Sequence, residues 1–162
     1  MQGRTPSAAM LALILMPVSA HAGLTVRFVG ADRYSDAEAG SNGSRKETLN
    51  ELRRMFDTLG ARYLTPGQDL AIEVLDIDLA GERLPSRGGE TRIVTGATPP
   101  RISLRYTLRE RGRVVRRSQE TLSDSNFQMG STARSGDRLA YEKELLTDWF
   151  RAQFRAGRRP RS

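Results

Sequence analysis

The sequence predicts a single α+β domain, a two-layer sandwich in which an antiparallel sheet of four to five strands carries two amphipathic helices on one face. Two observations lead to this fold class: several segments alternate apolar and polar residues, and two segments repeat apolar residues at helical spacing. A chain of 162 residues provides one hydrophobic core but not two. Because the later strands follow one another through short turns, antiparallel pairing is favoured.

Alternation predicts strands over residues 24–29, 70–79, 102–109 and 114–122, with a short further candidate over 90–94. The third strand is the clearest, since its even-numbered positions are apolar and its odd-numbered positions polar. The apolar face is Ile102, Leu104, Tyr106 and Leu108; the polar face is Ser103, Arg105, Thr107 and Arg109. Gly112 supplies the turn of a hairpin between the third and fourth strands, and residues 81–89 are predicted to form a loop.

Two segments predict helices with one apolar face each. Ser44 and Glu47 match a capping box, which predicts that the first helix starts there and runs to about Leu64. Its apolar positions are Leu49, Leu52, Phe56, Leu59 and Tyr63. Asp137 is a candidate cap for the second helix. The apolar face of that helix is Leu139, Leu145, Leu146, Trp149, Phe150 and Phe154.

The first 22 residues have the pattern of a secretory signal peptide. An apolar run from Ala8 to Met16 is followed by Pro17 and by the small-x-small sequence that ends at Ala22. Cleavage after Ala22 would leave a domain over 23–154 and a basic tail over 155–162. No later segment is apolar enough to cross a membrane. We therefore expect a soluble protein that is periplasmic or secreted.

Composition closes several routes to catalysis. The chain has no Cys, and its one His is His21, inside the predicted signal peptide. The mature chain would therefore lack thiol nucleophiles, imidazole general bases and Cys or His metal ligands. We expect no cofactor, and the sequence leans towards a protein that is not an enzyme.

Asp76 and Asp78 form the most pointed pair, since residues two apart on a strand project from the same face. Three interpretations stay open. The carboxylates can pair with arginines of a neighbouring strand, help to hold a hard cation, or act as an acid and base. The last leads to an alternative function, a carboxylate-dependent hydrolase of envelope glycans that uses Asp76 and Asp78.

Arginines on the central hairpin are the second candidate site. Arg105 and Arg109 share a strand face, and Arg116 and Arg117 lie on the expected partner strand. A guanidinium cluster on an open sheet face suits the phosphate or carboxylate groups of an anionic lipid, a glycan or an acidic envelope protein. Neighbouring acids such as Glu73 can instead neutralise the cluster across strands.

The C-terminal end carries most of the positive charge. The whole chain has 26 Lys and Arg against 19 Asp and Glu. Five arginines follow Phe150 with no acid among them: Arg151, Arg155, Arg158, Arg159 and Arg161. Such a tail allows peripheral contact with an anionic membrane surface, or remains solvated. No nucleic-acid recognition motif is visible, so nucleic acid is not an expected partner.

Four segments together resemble the bacterial family called domain of unknown function 3016. They are residues 70–81, 99–106, 122–124 and 141–150. The resemblance implies export and an uncharacterised activity, and it draws attention to Arg101 and Asp124 beside Asp76 and Asp78. The combined expectation is an exported cell-envelope protein that binds an unknown partner or ligand without catalysis. The candidate binding residues are Asp76, Asp78, Arg101, Arg105, Arg109 and Asp124.

Overall fold

The structure, a computed structural model, describes residues 22–35, 42–86, 89–129 and 136–154. Most of the predicted signal peptide and the predicted tail over 155–162 lie outside the described residues. The strands are β1 (Gly23–Phe28), β2 (Gln68–Asp78), β3 (Glu82–Ser86), β4 (Gly89–Ile93), β5 (Arg101–Glu110) and β6 (Arg113–Ser123). The helices are α1 (Asn42–Tyr63) and α2 (Ala140–Phe154).

Four strands form the main sheet in the order β1-β2-β5-β6, which confirms the α+β class. The pairs β2–β5 and β5–β6 are antiparallel, as expected. The pair β1–β2 is parallel instead, because the chain between these strands returns through α1, and a helical crossover brings the second strand back in the same direction.

Helices α1 and α2 both pack on one face of this sheet, and the core lies between the two layers. Ile102, Leu104, Tyr106 and Leu108 of β5 point into it, as the alternation predicted. Tyr106 meets Trp149 of α2 with ring centroids 5.3 Å apart, and Phe56 of α1 meets Phe150 of α2 at 6.3 Å. The other face of the sheet, the open face, carries mainly polar and charged side chains.

Close packing of α1 on β1 depends on Gly60. A Cβ atom at this position would lie 2.7 Å from Cδ2 of Leu24, so only glycine fits without displacement. Leu24, Val26 and Phe28 alternate with polar residues along β1, and all three contribute to the core. The first strand is therefore fixed against the helix that follows it.

Residues 81–89 differ from the loop expected for them. Strands β3 and β4 form a separate two-stranded hairpin between β2 and β5. Arg92 fastens the hairpin to the domain, because it donates to the carbonyl oxygens of Ala80 and Arg138 and to Oε1 of Glu142. Glu142 is fully buried. The contacts responsible are distant in sequence, so local periodicity does not reveal them.

Helix α1 begins at Asn42, two residues ahead of the start predicted from the capping box. Ser44 therefore lies inside the helix, where its carbonyl oxygen accepts a hydrogen bond from Thr48. The Glu47 carboxylate lies 4.0 Å from Arg138, towards the beginning of α2. Asp137 precedes α2 as predicted, and its Oδ1 accepts from the backbone N–H of Leu139.

Candidate functional site

The paired carboxylates of β2 owe their position to a β-bulge. Leu70, Ile72 and Val74 point into the core, and continued alternation would direct Asp76 and Asp78 inwards as well. The register shifts between Val74 and Asp76, and a bulge of this kind reverses the side-chain alternation beyond it. Both aspartates are thus placed on the open face.

Asp76 holds the connection between β1 and α1. Its Oδ1 accepts from the backbone N–H of Ser35 and its Oδ2 from the hydroxyl of Ser35, both at 2.7 Å. The buried Tyr34 hydroxyl donates to the carbonyl oxygen of Val74 at 2.8 Å. Burial raises the pKa of Tyr34 to about 12, so its hydroxyl stays protonated as a donor. Asp76 therefore anchors a loop.

Three predicted arginines lie along β5 on the open face, exposed and alternating with smaller polar residues. Register places Arg101 opposite Asp78, and Arg109 opposite Asp69. Arg105 donates to Oε2 of Glu73 through Nε at 2.9 Å and Nη2 at 2.6 Å. The acids of β2 therefore run beside the arginines of β5, and Glu73 pairs with Arg105 across the strands.

Arg116 does not join this stripe. A register shift between Leu108 and Arg109 brings Arg116 opposite Leu108, on the helix-covered side of the sheet. There its Nη1 donates to Oε1 of Gln153 at 2.8 Å. Arg117, opposite Thr107, remains on the open face. Of the four arginines considered from the sequence, Arg105, Arg109 and Arg117 therefore lie on the open face and Arg116 does not.

Asp124 belongs to a turn just beyond β6. Its Oδ1 accepts from the backbone N–H of Asn126 at 2.8 Å, the short-range pattern typical of aspartate in turns. Ser123, next to it, pairs with Arg101 across the sheet. The predicted residues thus occupy one side of the sheet and its end, without converging on a cleft.

A cavity of about 360 Å³ lies elsewhere, between the first half of α1 and the end of β1; we call it the basic pocket. It is lined by Phe28, Ala31, Arg45, Lys46, Leu49, Asn50 and Arg53. Three of these side chains are cationic, and none of the lining residues that the structure describes is acidic. The pocket therefore presents positive charge beside apolar surface.

The helical repeat separates the charges of α1. Residues 45, 46, 49, 50 and 53 share one flank because they are spaced by about one turn. The acids Glu47 and Glu51 lie on another flank, where Glu51 bonds to Lys143 at 2.5 Å and reaches Arg138 at 3.5 Å. Those acids are thus committed to α2, away from the pocket.

Arg53 is held in place at the wall of the pocket. Its Nη1 donates to the carbonyl oxygen of Val26 at 2.9 Å, and its guanidinium lies 5.1 Å from the ring centroid of Phe28. A cation at this distance over an aromatic face is attracted by the ring. The guanidinium is therefore oriented before any ligand arrives.

Sequence reasoning overlooked this pocket. Arg45 and Lys46 lie inside the predicted capping box, and Leu49 belongs to the predicted apolar face of the helix, so none of the three stands out as a binding residue. The signal that was available is the spacing of Arg45, Leu49 and Arg53 along one helix flank. The contribution of Phe28 and Ala31 depends on tertiary packing and leaves no sequence pattern.

The residues that the structure describes contain no group of three or more His, Cys, Asp or Glu side chains placed to hold a metal ion. No helix among them is long and apolar enough to cross a membrane.

Comparison with known proteins gives one family and one distant structure. The family model described as "Protein of unknown function (DUF3016)" matches residues 22–152. No curated protein matches in sequence. The crystal structure of a minor lipoprotein from Acinetobacter baumannii is similar over 83% of this chain and 90% of its own, with 11% identity and a TM-score of 0.26.

Proposed function

Since the chain belongs to the DUF3016 family of proteins of unknown function, we propose a function from its own geometry. The protein is an exported, non-catalytic binding protein of the cell envelope, and its basic pocket binds the anionic group of a ligand. The observation that carries this proposal is the convergence of Arg45, Lys46 and Arg53 on one cavity.

The proposed cleavage site agrees with the position of β1. Strand β1 starts at Gly23, the residue that would follow cleavage after Ala22, and Gly23 pairs with Asp69 of β2. N-terminal sequencing of protein from the envelope fraction tests this proposal: a first residue other than Gly23 contradicts the cleavage site.

The geometry of Asp76 and Asp78 supports a binding function better than hydrolysis of a glycan. A general acid or nucleophile needs an oxygen directed at the substrate, whereas both oxygens of Asp76 accept hydrogen bonds from Ser35. Asp78 lies on the same strand face as Asp76, and a hydrolase needs its carboxyls on either side of a sugar. The geometry gives the hydrolase hypothesis no support.

Positive charge also remains available in the basic pocket. Lys46 is an exposed residue, and its side-chain amine is one of the cations that line the pocket. Arg53 spends one nitrogen on Val26, and a guanidinium carries five N–H donors in all. Guanidinium and ammonium groups that converge in a partly apolar cavity bind phosphate and carboxylate groups through charge-assisted hydrogen bonds.

The test is an NMR titration of the exported protein with inorganic phosphate. Lys46→Glu is expected to weaken binding about tenfold, since it replaces an attracting charge with a repelling one at the pocket. Arg54→Glu is the matched control, because Arg54 is an exposed residue of the same helix that does not line the pocket. It should change the affinity less than twofold. Equal effects of the two variants would overturn the proposal.

A further inference from the structure

The basic pocket has an apolar wall beside its cations, and from this we infer the class of its ligand. The ligand is an organic anion, one phosphate or carboxylate group attached to a short apolar group, rather than an inorganic ion. This inference rests on the proposed function, since it specifies what the same pocket binds.

Three side chains form the apolar wall: Phe28 of β1, Ala31 of the following turn and Leu49 of α1. Each is partly buried and packs against the hydrophobic core. The remaining surface of each lines the cavity. Because one side of the wall is fixed by the core, the apolar surface is already in place for a ligand and costs little to order.

Arg53 marks the boundary between the apolar and the charged parts. Its guanidinium covers the Phe28 ring and is tied to Val26. Lys46 and Asn50 line the cavity from the next positions along the helix. A ligand whose anionic group meets Arg53 and Lys46 would place an adjoining apolar group against Phe28 and Leu49.

The size of the cavity also favours an organic ligand. A volume of about 360 Å³ falls at the lower end of the range for small-molecule pockets. An inorganic anion would leave the wall of Phe28, Ala31 and Leu49 hydrated, whereas an attached apolar group would remove that surface from water. Burial of apolar area stabilises by about 25 cal/mol per Å², so even partial contact gives measurable selectivity.

Isothermal titration calorimetry with inorganic phosphate and n-butyl phosphate tests the inference. The wild type is expected to bind n-butyl phosphate about tenfold more tightly than phosphate. Leu49→Asn should reduce this preference below threefold. Met55→Asn is the matched control, since Met55 is another partly buried residue of α1 that lies outside the pocket. It should retain the preference.

Ala31→Ser provides a second variant should Leu49→Asn fail to fold, since it changes the wall with little change of volume. Vesicles that contain phosphatidic acid distinguish two sources of the same chemistry: binding to them identifies a lipid headgroup, and binding of soluble n-butyl phosphate alone identifies a free small molecule. Equal affinity of the wild type for phosphate and n-butyl phosphate would overturn the inference and leave the proposed function standing. Failure of both anions to bind would overturn both.

Discussion

The buried ion pair between the β3–β4 hairpin and α2 allows a quantitative prediction. Replacing Arg92 with Met keeps an apolar stem but removes the cation that faces Glu142. The Glu142 carboxylate is 0% exposed, and its Oε1 accepts from Arg92 and from the backbone N–H of Ala80, each at 2.8 Å. We expect Arg92→Met to lower the free energy of unfolding by about 3–5 kcal/mol.

The magnitude follows from what each group loses. Removing one partner of a buried pair leaves the other charge uncompensated, and this desolvation penalty dominates. Two further hydrogen bonds, from Arg92 to Ala80 and Arg138, disappear at about 0.5–1.5 kcal/mol each. The Ala80 N–H still donates to Glu142, which keeps the total within that range. For a domain of this size, the melting temperature should fall by about 10–20 °C.

A second variant separates the pair from its surroundings. Arg92→Met combined with Glu142→Leu removes both charges, so no uncompensated ion remains in the core. The double variant should therefore be more stable than Arg92→Met alone by about 1 kcal/mol or more. It should stay below the wild type, because the Ala80 N–H loses its acceptor.

Urea unfolding followed by tryptophan fluorescence measures all of these stabilities. Trp149 is the one tryptophan of the chain, it is 6% exposed, and its Nε1 donates to Oε2 of Glu120 at 2.9 Å. Its emission therefore reports directly on the packing of α2. The reasoning would be refuted if Arg92→Met lowered the free energy of unfolding by less than 1 kcal/mol. It would also be refuted if the loss in the double variant equalled the losses of Arg92→Met and Glu142→Leu added together.

Two further predictions concern the pocket loop and the start of α2. Asp76→Ala leaves the pocket residues unchanged but should weaken phosphate binding about threefold. Ser35 would lose both of its acceptor oxygens, and the turn that carries Ala31 would loosen. An unchanged phosphate affinity in the same NMR titration would contradict this prediction. Hydrogen bonds from Lys143 and from the Leu139 backbone lower the pKa of Asp137. The ionised Asp137 carboxylate therefore stabilises the fold at pH values above its ordinary pKa near 4, and this stabilisation is lost as the pH falls further. The stability difference between the wild type and Asp137→Asn, measured by urea unfolding, should therefore shrink from pH 5 to pH 3, and a constant difference would contradict the assignment.

Much of the fold was predictable because it depends on local periodicity. The alternation that ends at Leu108 and the helical spacing that leads to Trp149 each identify one buried face, and the structure confirms both. The parallel pairing of β1 with β2 depends on the connection between these strands. A helix between two strands allows them to pair in parallel, whereas the short turns that favour antiparallel pairing join only the later strands.

Bulges explain why the site was harder to predict. One extra residue near Leu75 moves Asp76 to the opposite face, and a shift near Arg109 moves Arg116 to the helix side. Neither has a sequence signal, because each depends on how neighbouring strands pair. The basic pocket escaped for a related reason: Arg53 and Phe28 lie far apart in sequence and meet only when α1 packs on β1.

The parallel pairing of β1 with β2 has a consequence for the order of folding during synthesis. The chain is made from its N-terminus, so Leu24, Val26 and Phe28 emerge from the ribosome before any partner strand. They stay unpaired until the 22 residues of α1 and then β2 have followed, and α2 covers the core only at the end. The first strand is therefore the segment exposed longest to aggregation, and the one that a chaperone would have most reason to shield.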